Sequence, residues 1–320
     1  MRVRVATVCM AGCFHRSVEE NRRHVMKLLD LALLQKPDIV CLPETFTTVT
    51  VNKPIREVAE NVPGPTTKIV GEKARAAGCY VICPIKTNRD GKIRNSAVII
   101  DREGEVLGIY DKVHPVTSSS DYTVFEGGVT PGSEVPVFDL DFGRIGIQIC
   151  FDIGFPESWQ ELADKGARIV FWPSAYNGGF LLQVYAYLHH YYVVSSVRTE
   201  SSRIIDPLGR ILVETDRHMN VVYRDINPDF IVVHYGFNYG IPEQIMKTYP
   251  GRVDVRPHPD DSHFIVEPID DSITIEQLQK EFGFESTFQY HERHREAYKW
   301  ILQGKKPPAQ KAAHGNRSPD

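Results

Sequence analysis

The strongest constraint on the fold is an alternation of short, unbroken apolar runs with amphipathic helical stretches. VRVATVCM (residues 3–10) and DIVCLPE (38–44) lack the in–out alternation of a half-exposed strand, which is the pattern of strands buried on both faces. Between them, SVEENRRHVMKLLDLALLQ (17–35) sets Val18, Val25, Leu28, Leu29 and Leu33 near helical spacing. Ser17 is its expected N-cap, with Glu20 three residues on, and Pro37 stops it. PTTKIVGEKARAAG (65–78) predicts a second helix closed by Gly78, and CYVICPIK (79–86) a third strand.

Hairpins then interrupt the alternation. TNRDGKIRNSAVIIDREGEVLGIYDKVH (87–114) carries turn signals at Asp90-Gly91 and Glu103-Gly104, predicting a meander. VPVFDLDFGRIGIQIC (135–150) predicts a hairpin turning at Phe142-Gly143, and SSRIIDPLGRILVET (201–215) another around Pro207-Leu208-Gly209. ESWQELADKGA follows Pro156 as a helix and leads into strand RIVFWPSA; FLLQVYAYLHHYY (180–192) reads as helical, and VVSSVR as a strand. Parallel crossovers mixed with hairpins predict two mixed sheets packed together with helices outside.

The 1–235 region is expected to form one domain. Beyond it the alternation stops. Residues 236–303 read as an ordered extension rich in Pro, Tyr and His, ending in two helices and available for oligomer contacts. Residues 304–320 are polar and Pro-rich, the composition of a disordered tail. The chain of 320 residues can bury a large core without disulfides or metals. Its net charge of −4 argues against nucleic acid as the main ligand. No apolar run reaches membrane-spanning length, and the start reads as a strand rather than a signal peptide. Six cysteines (9, 13, 41, 79, 83 and 150) lie in or beside strand-like segments, as reduced thiols of a cytoplasmic protein do. None forms a double C-x-x-C zinc pattern, and no metal or cofactor is expected.

Three reactive residues occupy equivalent places. Glu44 ends DIVCLPE, Lys112 ends EVLGIYDK and Cys150 ends GRIGIQIC. Where strands are joined by crossover helices, ligand sites gather beyond their carboxyl ends. Three such residues can therefore converge on one pocket. Taken singly, each has a plainer reading: a buried core thiol, a capping acid, a surface lysine.

LPET, YDKVH and GIQICFDIGFPE resemble the three signature blocks of the carbon–nitrogen hydrolase (nitrilase) superfamily, which carry Glu, Lys and Cys in that order. NSAVIID, EGGVTPG, WPSA and IIDPLGRIL match in the expected order around them, so that the likeness covers residues 3–230. It implies a four-layer αββα sandwich of mixed sheets. It also implies a thiol hydrolase of the amidase or N-carbamoyl amidohydrolase type, acting on C–N bonds other than peptide bonds. Cys150 would be the nucleophile, Glu44 the general base and acid, and Lys112 the cation favouring the thiolate and binding the oxyanion with the N–H of Phe151. Glu126, in FEGGVTPG, matches the superfamily's second glutamate, which holds the lysine. No metal or cofactor takes part, and assembly into a homodimer or larger homo-oligomer is implied.

The surrounding residues bear on the substrate. Nitrilases of the superfamily carry Trp-Glu after the cysteine; Phe151-Asp152 here leans toward amides. N-carbamoyl amino acid hydrolases carry an arginine just downstream to pair with the substrate carboxylate. Ile153-Gly154 stand there instead, although an arginine from elsewhere could substitute. Trp172, Ser174, Tyr176 and Asn177 follow the next strand as expected pocket walls, suiting a small, largely neutral acyl group. The leading reading is hydrolysis of a small linear amide or N-carbamoyl amine, with ureido compounds as possible substrates. The alternatives are a nitrilase, acyl transfer from the same thioester, and an inactive scaffold that kept the fold. His114 and Asp152 read as structural, Asp152 fixing the turn after Cys150. His189-His190, His291/His294 and HPDDSH (258–263) read as packing or surface groups. Arg198 and Arg203 read as salt-bridge partners with no mechanism attached.

Overall fold

A computed structural model describes residues 2–236, 238–258 and 261–308. The described residues divide into two compact units, Val3–Ile226 and a second formed by Arg2 with those from Asn227 onward. This division falls ahead of the boundary expected at residue 235.

In the first unit, strand β1 (Val3–Val8) pairs in parallel with β2 (Ile39–Cys41), and β2 in parallel with β3 (Tyr80–Arg89). The crossovers run through helices α1 (Val18–Leu33) and α3 (Pro65–Ala77), with the short α2 (Ile55–Val58) before α3. The meander follows as β4 (Lys92–Ile100) and β5 (Val106–Asp111), antiparallel to their neighbours. Strand β12 (Val221–Ile226) returns antiparallel to β1, completing a six-stranded sheet β12-β1-β2-β3-β4-β5.

The second sheet opens with the hairpin β6 (Val137–Leu140) and β7 (Gly143–Ile147), turning where Phe142-Gly143 was expected. Strands β8 (Ile169–Ser174) and β9 (Tyr192–Val197) add in parallel through α4 (Pro156–Asp164) and α5 (Leu181–His189). The hairpin β10 (Arg203–Ile205) and β11 (Ile211–Glu214) gives the order β11-β10-β9-β8-β7-β6. Helix α5 stops earlier than the sequence reading expected. His190 takes a left-handed backbone, and Tyr192 already begins β9.

The sheets join along β1 and β9: Ser196 Oγ donates to Val8 O at 2.7 Å and Thr7 Oγ1 to Ser195 O at 2.5 Å. On the outer face of the first sheet, Val25, Leu29, Val70 and Ala74 of α1 and α3 pack on Val8, Val40, Val81 and Val98. On that of the second, Trp159, Leu162, Leu182 and Tyr185 of α4 and α5 pack on Val170, Trp172 and Val193. The architecture is the expected four-layer αββα sandwich. Its helix boundaries follow local chemistry: Ser17 accepts from Glu20 N at the start of α1, and Gly78 ends α3 with φ +62°.

The second unit is more regular than the expected extension. Strands β13 (Ile231–His234), β14 (Val253–His258) and β15 (His263–Pro268) form an antiparallel sheet in the order β13-β15-β14. Helices α6 (Ile241–Thr248), α7 (Ile275–Phe282) and α8 (Thr287–Leu302) accompany it. Ile245, Phe264, Val266 and Leu278 centre its own core. Pro257 and Pro268 lie within the strands and hid them from a pattern reading. Of the HPDDSH cluster, Pro259 and Asp260 lie outside the described residues, as do residues 309–320 of the polar tail. Among the described residues no helix is long and apolar enough to cross a membrane.

Candidate active site

Three strand ends in the first unit turn into one cavity. Glu44 follows β2 by three residues, Lys112 directly follows β5, and Cys150 follows β7 at the first position of a 3-10 turn, Cys150–Gly154. Glu126 comes from the loop between β5 and β6. Cys150, Glu126 and Thr45 all hold left-handed backbones, with φ of +48°, +41° and +42°. Such positions cost about 1–3 kcal/mol for a residue with a Cβ and persist only when the surroundings fix them.

At Cys150 the fixing is visible. Trp172 Nε1 donates to the Cys150 carbonyl at 3.0 Å. Asp152 Oδ2 accepts from Ile149 N at 2.8 Å and from Tyr110 Oη at 2.7 Å. Its Oδ1 accepts from His114 N at 2.9 Å and lies 2.9 Å from His114 Nδ1. The His114 ring stacks on Phe155 at 3.7 Å. Asp152 and His114 therefore hold the turn, in the structural roles read from the sequence.

The charged groups form one buried net. Lys112 Nζ donates to Glu44 Oε1 at 3.1 Å and Glu126 Oε1 at 2.6 Å. Lys86 Nζ donates to Glu126 Oε2 at 2.6 Å. Asn95 Nδ2 donates to both carboxylates at 2.9 Å, and Arg198 Nη2 to Glu44 Oε2 at 3.4 Å. Three cations thus face two carboxylates. Burial acts against the Glu44 charge, but Lys112 and Arg198 outweigh it and hold Glu44 below the ordinary carboxylate value. Glu126 is likewise opposed by burial, yet Lys86 and Lys112 bring it down to about 2. Burial presses the Lys112 ammonium toward neutrality, and Glu44 and Glu126 more than reverse this.

Cys150 behaves oppositely. Burial, then the Glu44 charge, push its thiol up to about 11 despite Lys112, the Ala175 N–H and the Ser174 hydroxyl. Lys112 favours the thiolate as expected, but burial and Glu44 outweigh it. The ammonium is already engaged by two carboxylates, so the resting pair is a thiol beside an ionised Glu44.

The cavity has a volume of about 410 Å³. Glu44, Lys86, Lys112, Glu126, Cys150 and Arg198 line it, with the Thr45–Thr50 segment forming one wall. The carbon–nitrogen hydrolase family model matches residues 4–232, which carry all of these groups. The chain belongs to the carbon–nitrogen hydrolase family. It is a hydrolase of C–N bonds other than peptide bonds. A deaminated glutathione amidase of Synechocystis sp. is 28% identical over 240 residues, covering 67% of this chain and 88% of that protein. Omega-amidase NIT2 of Bos taurus is 28% identical over 229 residues, 65% of this chain and 83% of that one. The crystal structure of Saccharomyces cerevisiae Nit3, a member of branch 10 of the nitrilase superfamily, superposes with a TM-score of 0.61 at 20% identity. That match covers 78% of this chain and 94% of Nit3, and shows the shared fold.

The remaining expected site residues of this carbon–nitrogen hydrolase divide. Ser174 is fully buried against the Cys150 sulfur, and the exposed Tyr176 ring lies near enough for the Cys150, Lys112 and Glu44 charges to act on its hydroxyl. Trp172 is not a cavity wall: it is fully buried and braces the Cys150 carbonyl. Asn177 does not line this cavity, and its Oδ1 accepts from Gly179 N at 3.1 Å. The Phe151 ring packs edge-on to Phe155 and lines a separate apolar cleft with Tyr122, Phe125 and Pro131. Only its backbone belongs to the Cys150–Gly154 turn.

Sequence reasoning gave no role to Lys86 or Asn95 and read Arg198 only as a salt-bridge partner, which it is, to Glu44. Lys86 and Asn95 face each other across the β3–β4 pair, a register the Asp90-Gly91 turn signal contained. Arg198 follows β9, the strand parallel to β8, and its strand-end position was the available signal.

Proposed function

We propose that this carbon–nitrogen hydrolase cleaves a small linear amide through a thioester on Cys150. The observation that carries the reading is the shared burial of Glu44, Lys112 and Cys150 on one cavity, with side chains pre-oriented by Glu126, Asn95 and Trp172. Ionised Glu44 takes the thiol proton as the sulfur bonds to the carbonyl carbon. The developing oxyanion accepts from Lys112 Nζ and the Phe151 N–H, each such donor contributing about 3–4 kcal/mol. Collapse breaks the C–N bond, and Glu44 passes its proton to the departing nitrogen, giving ammonia or an amine. Water then loses a proton to Glu44 and attacks the thioester. The C–S bond breaks, the sulfur regains that proton, and the acid leaves. Glu126 keeps Lys112 in place and touches the cavity beside Lys86.

The cavity's two further cations, Arg198 and Lys86, favour an acyl chain bearing a carboxylate over the neutral group expected from the residues after Cys150. The names of the deaminated glutathione amidase and omega-amidase relatives are compatible with an amide at one end of an acid. An N-carbamoyl acid shares this chemistry.

The test is ammonia release from matched substrates: an amide with a distal carboxylate, its methyl ester, the ureido analogue and the corresponding nitrile. Wild type should prefer the anionic amide. Cys150→Ala should reduce kcat on the order of 10⁵–10⁶-fold, as loss of a covalent nucleophile does elsewhere. Undiminished release by Cys150→Ala would end the thioester reading, and turnover of the nitrile alone would make the protein a nitrilase.

A further inference from the structure

The first unit holds a second cluster of chemically soft side chains, unused by hydrolysis. Cys13, His15 and His24 each offer one ligand atom, and these atoms lie within 4.8 Å of one another. The Cys13 sulfur is 4.0 Å from His15 Nε2, and the two imidazole centroids are 5.5 Å apart. Tetrahedral zinc with bonds of about 2.0–2.3 Å sets its ligand atoms roughly 3.3–3.6 Å apart. Closing the present triangle onto an ion therefore needs side-chain movements on the order of 1 Å, within rotamer adjustment.

Two independent features point to a ligand. His24 Nε2 is shielded from solvent with no hydrogen-bond partner, a state that leaves a polar atom unsatisfied. The backbone carrying His15 is also pre-set. Asn21 accepts from His15 N at 2.8 Å and donates to His15 O at 3.0 Å, and Thr50 Oγ1 donates to the same carbonyl at 2.7 Å. These bonds fix the main chain from which the His15 ring projects.

We propose that Cys13, His15 and His24 bind one borderline-soft divalent cation, of the zinc class, with water completing the coordination. One thiolate and two imidazoles favour such an ion over magnesium or calcium, which take oxygen ligands. Binding forms the metal–sulfur bond and releases the Cys13 proton to solvent. Cys9 stays outside the site: its thiol is buried and donates to Thr199 O. The segment is tied to the active-site wall from both sides: Gly12 N donates to Arg198 O at 3.0 Å, and Thr50 lines the cavity. An ion here stiffens that wall without entering the chemistry.

The test uses full-length protein carrying Cys150→Ala, which removes the active-site thiol as a competing ligand. Titration with cobalt(II) should saturate at one equivalent with a thiolate-to-metal charge-transfer band. Adding Cys13→Ser should abolish the band, and adding His24→Ala should weaken binding by about 100-fold or more, at least the loss that outer-shell changes produce. In parallel, one equivalent of zinc should protect Cys13 of wild-type protein from alkylation, read by mass spectrometry on its own peptide. Absence of a saturable one-equivalent band, a band that survives Cys13→Ser, or unprotected Cys13 would overturn the site.

Discussion

Glu44 and Cys150 hold their protons in opposite senses, and the pH dependence follows. Lys112 and Arg198 keep Glu44 ionised below the ordinary carboxylate value of 4.5. Burial keeps the Cys150 thiol protonated up to about 11. The reactive pair, carboxylate and thiol, therefore persists across the whole neutral range. We expect kcat/KM to be flat there, falling on the acid side only below pH 4.5 as Glu44 gains its proton. A pH–rate profile with an inflection between pH 6 and 8 would contradict the assignment of Glu44 as base. At this scale Glu44, Lys112 and Cys150 were legible because each ends an apolar run. Lys86 was not, because a lysine within a β-prone run looks like a surface residue until its register places it opposite Asn95.

The element that matters most is the 3-10 turn at Cys150–Gly154. Its left-handed first residue cannot be read from CFDIG, since nothing in that string marks a position of positive φ. The turn exists because residues from elsewhere over-determine it: Asp152 collects donors from β5 and its following loop, and Trp172 reaches over from β8. Trp172→Phe keeps most of the packing but leaves a buried carbonyl unpaired, at a cost of about 1–3 kcal/mol. It should lower kcat more than it raises KM, with a matching drop in denaturation midpoint. Equal kinetics for Trp172→Phe and wild type would show that the indole N–H does not hold the nucleophile. Helices and hairpins were legible by contrast, because Ser17, Gly78 and Asp90-Gly91 act within a few residues of their own chain.

For the whole molecule, the two large sheets followed from the run of strands and crossovers. The β13-β15-β14 sheet did not, since its prolines and histidines mimic a loop. The outer face of α5 carries Leu181 and Leu188, seven residues apart, with Phe180 beside them, at 46%, 55% and 71% exposure. Apolar side chains gathered this way suit a self-complementary contact between two copies. We propose that the protein pairs through α5, and sedimentation should report a dimer that Leu188→Glu converts to monomer. A wild-type monomer at micromolar concentration would exclude that pairing.

The excess of cations over carboxylates in the cavity also bears on turnover. Hydrolysis turns an uncharged amide group into a second carboxylate, so the departing acid meets Lys86, Lys112 and Arg198 with one more negative charge than the substrate, in a site poorly screened by solvent. On the proposed thioester route the nitrogen leaves first and the acid is held. The free acid should then compete with substrate at a Ki below the KM of its parent amide. Added salt should relieve this product inhibition, because screening weakens the attraction that delays release.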